Sequence, residues 1–303
     1  MTQLQELRNP DNWIYPKVLA LYGIFLLATL VLHACRDAGL ALFLAVSVAA
    51  WIIIGWGQLA LFNALHEGLH LRFGNPHRER LAFLLTAWPV GFSENYRQVH
   101  LDHHRYLGDP QRDPDYVNYA NFPRSRRQFI ARCLMNLSGV YALLQFLGLR
   151  QALPCAPDRS TEREHSRVGT RNMLLTQGLI LLAFSSTVGW QYYLWLWLVP
   201  LLTFGKFFAF ARTFSEHASP DNRVTVRTIT GSVPGEKVLG MFCFNYHAEH
   251  HEYVFVPCNQ LRVAHQLSGA ELYDSQRQDE PRYEHYQGGY LRLLWQWFRA
   301  LPW

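Results

Sequence analysis

The stretch 40–70, LALFLAVSVAAWIIIGWGQLALFNALHEGLH, decides the fold. Residues 40–64 carry no charge, and about 20 apolar residues suffice for a helix to cross a hydrocarbon core of roughly 30 Å. The run then enters His66-Glu-Gly-Leu-His70. A helix continuing past the membrane projects positions i and i+4 from one face, so this spacing presents two imidazoles to one metal ion. The same string satisfies HExxH, the zinc-protease signature in which Glu67 would be the general base. Alone it leaves both chemistries open.

Outward from this span, residues of about 17–35 are similarly apolar. About 172–188 and 192–211 form a second pair, separated by a turn too short for anything but a hairpin. Two further apolar runs are read as interfacial segments. The run 81–92 is short and contains Pro89, and the run 129–149 is interrupted by Arg132, Asn136, Ser138 and Gly139. At 290–303, YLRLLWQWFRALPW interleaves Arg292 and Arg299 with tryptophans, as a helix lying at the interface does. Segments 105–127, 155–171 and 268–289 read as polar loops, 155–171 as locally disordered. Between the hairpins, residues 65–171 hold fifteen Arg, whereas the turn after the first span has only Arg36 and 189–191 has no Lys or Arg. The positive-inside rule then places the Arg-rich segment and both termini in the cytoplasm. The expected fold is one all-α integral-membrane domain over 1–303, multi-pass, with four transmembrane helices in two hairpins.

Two more histidine boxes lie in the segments assigned to that face. His100-Leu-Asp-His103-His104 and His247-Ala-Glu-His250-His251 are both HxxHH, which on a helix sets i, i+3 and i+4 to one side. A single zinc site needs three or four ligands, so eight boxed histidines imply two metals. Imidazole sites with open positions suit iron that binds O2, because zinc has no redox chemistry. His217, in ARTFSEHA at the end of the last span, is a ninth candidate ligand. Glu67, Asp102, Glu216 and Glu249 stand beside these histidines and are expected to accept the other imidazole N–H. His33, His77, His165, His265 and His285 are taken as structural or surface residues.

Composition narrows the function. The net charge is +5 and the pI about 9.0, but the arginines flank apolar spans, which argues for a membrane surface and against nucleic acid. Five cysteines, widely spaced and without a CxxC pair, predict reduced thiols and neither a disulfide framework nor a thiolate zinc site. The polar start through Trp13 contains no cleavable signal, so the first span is expected to stay in the protein.

An HxxxH box, an HxxHH box and a late HxxHH box around two hairpins resemble the membrane fatty-acid desaturase and hydroxylase superfamily. HLDHHRYLGDPQRDPDY is similar to the second box of sphingolipid and acyl-lipid desaturases, and NYHAEHHEYVFVP to their third. The resemblance covers roughly residues 15–260. It implies a cytosolic helical cap over four helices and two non-haem irons held by His66, His70, His100, His103, His104, His247, His250 and His251, with His217 in the place of a further ligand. It also implies O2-dependent removal of hydrogen from a lipid-like or small amphiphilic substrate. Desaturation of an acyl chain is the first expectation, and hydroxylation by the same superfamily the alternative. Thr213 stands where some desaturases carry an Asn, so this spot resembles the hydroxylase branch as much as the desaturase branch. No HPGG-type haem motif occurs, so a separate ferredoxin, rubredoxin or cytochrome is the expected donor. A membrane zinc protease through His66, Glu67 and His70 leaves six boxed histidines unexplained. Membrane metal transport is the third reading. About two irons per chain fits the oxidase, one zinc the protease, and no tightly held metal the transporter.

Overall fold

The computed structural model describes residues 2–7, 14–70, 75–93, 96–147, 162–274 and 282–303. The opening stretch of sequence forms a single helix, α2 (Leu40–Leu69), preceded by α1 (Ile14–Ala34) across a short turn. Leu40, Leu42, Ile52 and Ile53 are exposed in the first half of α2, whereas from Ile54 to Leu69 nearly every residue is buried. The helix thus runs from an apolar exterior into the protein core. After α3 (Tyr96–Tyr106) come α4 (Arg126–Leu137), α5 (Glu162–Thr187) and a long helix α6 (Trp190–His217).

Two wide π turns, Leu194–Leu198 and Leu201–Gly205, flank Pro200 in α6. Proline lacks the N–H for the ordinary i to i−4 bond and its ring crowds that carbonyl, so the helix widens around it and does not break. The bulged region meets α2 with little room. A methyl group added at Gly55 would stand 2.6 Å from Phe204 Cβ and 2.8 Å from the Gly205 nitrogen. Glycine is the side chain that permits this approach.

Among the described residues, three helices are long and apolar enough to cross a membrane: Ile14–Ala34, Leu40–Leu69 and Trp190–His217. The remaining predicted span, 172–188, falls mainly in α5, where Asn172 and Gln177 lower its apolar character. Gly189, at φ +114°, makes the turn from α5 to α6. The run 81–92 folds as the end of a short helix, a π turn and a 3-10 turn at Trp88–Val90. Gln177 Nε2 on α5 donates to the Trp88 and Pro89 carbonyls at 2.7 and 2.8 Å, and Trp197 Nε1 on α6 reaches the Pro89 carbonyl at 3.0 Å. The run 129–149 is divided between α4 and Val140–Phe146, with Gly139 at φ +77° in the break.

Among the described residues the fold is mostly helical, and one strand pair departs from the all-α expectation. β1 (Thr225–Thr230) pairs in parallel with β2 (Arg282–Gln287), Thr225 opposite Arg282 and Thr230 opposite Gln287. β2 occupies part of the predicted loop 268–289. Between the strands lie α7 (His247–Glu252) and α8 (Leu261–Leu272), and α9 (Tyr290–Ala300) follows. Of the predicted loop 155–171, residues 155–161 lie outside the described residues, and 162–171 are the first turns of α5. Cys35, Cys133, Cys243 and Cys258 are free thiols.

Candidate metal centre

Four helix ends converge where α2 leaves the apolar region. His66 lies in the last turn of α2 and His70 just beyond it, while α3 supplies His100, His103 and His104. His217 is the last residue of α6, and α7 presents His247, His250 and His251. The nine side chains sort into two adjacent groups. His66, His70, His100, His104 and His250 bring one nitrogen each to within 4.8 Å of one another, as do His103, His217 and His251. His247 joins the second group, its Nε2 lying 2.8 Å from His217 Nε2 and 3.2 Å from His251 Nε2. The rings of His104 and His251 stack at 4.1 Å between the two groups.

The donor set fits metal ions. Imidazole nitrogens bound at about 2.0–2.1 Å to one ion, with adjacent bonds near right angles, lie roughly 2.9 Å apart. In the first group Nε2 of His100 is 2.9 Å from that of His70 and 3.0 Å from that of His104, and His250 is 3.0 Å from His104. Burial, and then the neighbouring imidazoles, push His100, His104, His247, His250 and His251 well below the ordinary imidazole range. Each therefore keeps the lone pair that ligation requires.

Contacts behind the rings set which nitrogen faces inward. Thr225 in β1 accepts from His217 Nδ1 through its carbonyl at 3.1 Å, leaving Nε2 for the centre. His103 Nδ1 lies 2.9 Å from Asp113 Oδ1. Asp113, fully buried, also accepts from the Gly108 and Asp115 backbone N–H and the Tyr119 hydroxyl. Burial opposes a charge on His103, but the Asp113 hydrogen bond and carboxylate outweigh it and raise that imidazole.

The carboxylates singled out in the sequence sit differently. Asp102 accepts from Gln98 on the outer part of α3, because position 102 points away from the face shared by 100, 103 and 104. Glu249 accepts from Thr228, Tyr273 and His265, so it ties α7 to β1 and α8 and does not hold a boxed histidine. Glu67 accepts from the Cys258 backbone N–H at 3.1 Å, fastening α2 to the chain after the third box. Glu216 Oε2 lies 3.6 Å from His247 Nε2, the inward nitrogen, while its Oε1 accepts from Arg212 at 3.0 Å and the Tyr290 hydroxyl at 2.9 Å. Asp113 and Thr225 are the partners that sequence reading missed. Asp113 lies within the quoted stretch after the second box, in Arg112-Asp113-Pro114, where no spacing relative to the histidines singled it out.

A cavity of about 1050 Å³ opens on His66, His100, His103, His217 and His247 and extends between α2, α4 and α6. Leu59, Phe62, Phe92, Val99, Leu201 and Phe210 supply apolar wall.

A fatty acid desaturase family model matches residues 40–283, a region that contains all nine converging histidines. The chain is 24% identical over 277 residues to a sphingolipid delta(4)-desaturase-like protein of Arabidopsis thaliana, covering 90% of this chain and 76% of that one. It is 25% identical over 285 residues to a sphingolipid delta(4)-desaturase of Drosophila melanogaster, with 87% and 81% covered. The chain is an oxidoreductase associated with membranes, and it belongs to the fatty acid desaturase family.

Proposed function

We propose that this chain is an O2-dependent, non-haem di-iron desaturase that introduces a double bond into the alkyl chain of a sphingolipid-like or fatty-acyl substrate. His66, His70, His100, His104 and His250 would hold one iron, and His103, His217, His247 and His251 the other. The bound iron pair supplies the reduction of O2 and the removal of hydrogen from an unactivated carbon. Residues of the chain orient the ligands, seat the substrate and keep water from the reacting carbon. Four spans in two hairpins, with α5 completing the second, would carry the histidine cap at the cytoplasmic face together with both termini. The segments 81–92, 129–149 and 290–303 would lie at the interface, within one domain. Electrons would arrive from a separate ferredoxin, rubredoxin or cytochrome.

The observation that carries this reading is the cavity that begins at five of the nine histidines and has apolar walls for an alkyl tail. Hydroxylation is the second reading, because Thr213, which lines the same cavity, fits the hydroxylase branch as well as the desaturase branch. Mass spectrometry of lipids from membranes with and without the chain tests both: loss of two hydrogens means desaturation, gain of one oxygen means hydroxylation. A single zinc and no oxidised lipid would overturn the proposal.

A further inference from the structure

Glu216 has its two carboxylate oxygens in different surroundings. The side chain is buried in the last turn of α6, beside His217, and borders the cavity. Oε1 accepts from Arg212 Nε at 3.0 Å and from the Tyr290 hydroxyl at 2.9 Å. Arg212 is itself fixed, donating to Asn63 Oδ1 on α2 and lying 4.9 Å from the Phe244 ring centre. These contacts favour the ionised carboxylate and set its plane. Oε2 takes no hydrogen bond from the described residues and stands 3.6 Å from His247 Nε2.

That nitrogen has no proton to give Oε2 once it serves as a ligand. It lies 2.8 Å from His217 Nε2 and 3.2 Å from His251 Nε2, and His217 turns its Nδ1 to the Thr225 carbonyl, so lone pairs converge here with an anionic oxygen. Acceptors gathered in this way repel one another unless a cation stands between them. Donors about 2.1 Å from one ion are roughly 2.9 Å apart at right angles and roughly 4.2 Å apart across it. The separation of 3.6 Å falls between these limits.

We propose that Glu216 Oε2 is a direct ligand of the metal held by His103, His217, His247 and His251. The inference rests on the di-iron reading of the centre. Each iron then has five protein donors, and the two are chemically unequal: one sits among five imidazoles, the other among four imidazoles and a carboxylate. Asp102 and Glu249 cannot take this part, because their oxygens face Gln98 in one case and Thr228, Tyr273 and His265 in the other.

Mössbauer spectra of the full chain in detergent, loaded with isotopically enriched iron and reduced, test the assignment. The wild type should give two quadrupole doublets of equal area. Glu216→Gln keeps an acceptor oxygen for Arg212 and Tyr290 but removes the anionic donor. It should displace one doublet, leave the other in place, and speed the loss of one of the two irons to a chelator by about tenfold or more. Both irons retained with both doublets unmoved would overturn the ligand and leave Glu216 as a structural partner of Arg212. Should the variant fail to fold, infrared difference spectra of the wild type grown with isotope-labelled glutamate decide the matter. A labelled carboxylate stretch should move when iron is loaded, and an unmoved one would overturn the assignment. One zinc in place of two irons in the wild type would sink the di-iron reading and this ligand with it, whereas two irons with unmoved doublets in the variant would sink the ligand alone.

Discussion

Asp113 decides which nitrogen His103 offers to the centre. A buried carboxylate facing Nδ1 holds that nitrogen protonated and turns Nε2 inward, and its own position is fixed by Gly108, Asp115 and Tyr119. Asp113→Asn should therefore reduce iron affinity or turnover by about 10–100-fold, measured as iron retained against a chelator and as product formed. Asp102→Asn, on the outer part of α3, should change neither. Replacement of His103 or His250 by Ala should abolish activity and lower iron content while the protein stays in the membrane. His217→Ala should do the same, and retained iron with full turnover would remove His217 from the ligand set. At this scale the boxed histidines were legible, because i, i+3 and i+4 spacing is a property of the helix. Asp113 was not, since its approach to His103 depends on the turn following α3 and not on any period.

Element packing explains how α6 can deliver His217 accurately. The Arg227 guanidinium in β1, almost wholly buried, donates to the Ser215 and Ala218 carbonyls at the end of α6 and pairs with Glu284 in β2 at 2.7 Å. It satisfies carbonyls that a helix C-terminus leaves open. Arg227→Leu should lower stability by roughly 1–3 kcal/mol for each carbonyl left buried without a donor, read as a shift in thermal unfolding, and should loosen His217 as well. Gly55→Leu should destabilise through the α2–α6 contact by roughly 1–3 kcal/mol or more, since backbone lies in the way of the new side chain. The long helices were readable from apolar length alone. The strands were not: β2 is the polar string RYEHYQ, and its partner in β1 lies 57 residues earlier, at Arg227 for Glu284. A parallel pair of this kind has no local signature, because no hairpin turn announces it. α5 shows the converse, a helix whose composition is less decisive than its place beside α6.

Over the whole molecule, the histidines are contributed by segments far apart in sequence, which apolar packing such as Leu59 of α2 with Phe214 of α6 and Leu61 with Phe244, together with a few polar contacts, brings to one place. Metal binding is then coupled to folding. Removing iron should lower the unfolding midpoint in detergent, by the equivalent of about 4 kcal/mol when the metal stands 1,000-fold above its dissociation constant. The last helix, α9, adds a second constraint. Tyr290 reaches Glu216, Trp297 packs edge-on against Phe122 and Phe214, and the Arg126 backbone N–H donates to the Pro302 carbonyl at 2.7 Å. Its other face leaves Leu291 73% and Trp295 57% exposed, which suits an interfacial position. Trp295→Glu should weaken partition of the solubilised chain into liposomes without moving iron content.

The parallel pairing of β1 with β2 also sets a timetable for biogenesis. The third histidine box lies inside the segment that the two strands close, so its frame is incomplete until Gln287 has left the ribosome and found Thr230. The contacts of Tyr290 and Pro302 come later still. Under the proposed function, iron loading would accordingly wait until β2 is made, and a nascent protein halted before β2 would carry its first two boxes to the membrane as a half-built chelator, open to whatever metal is at hand.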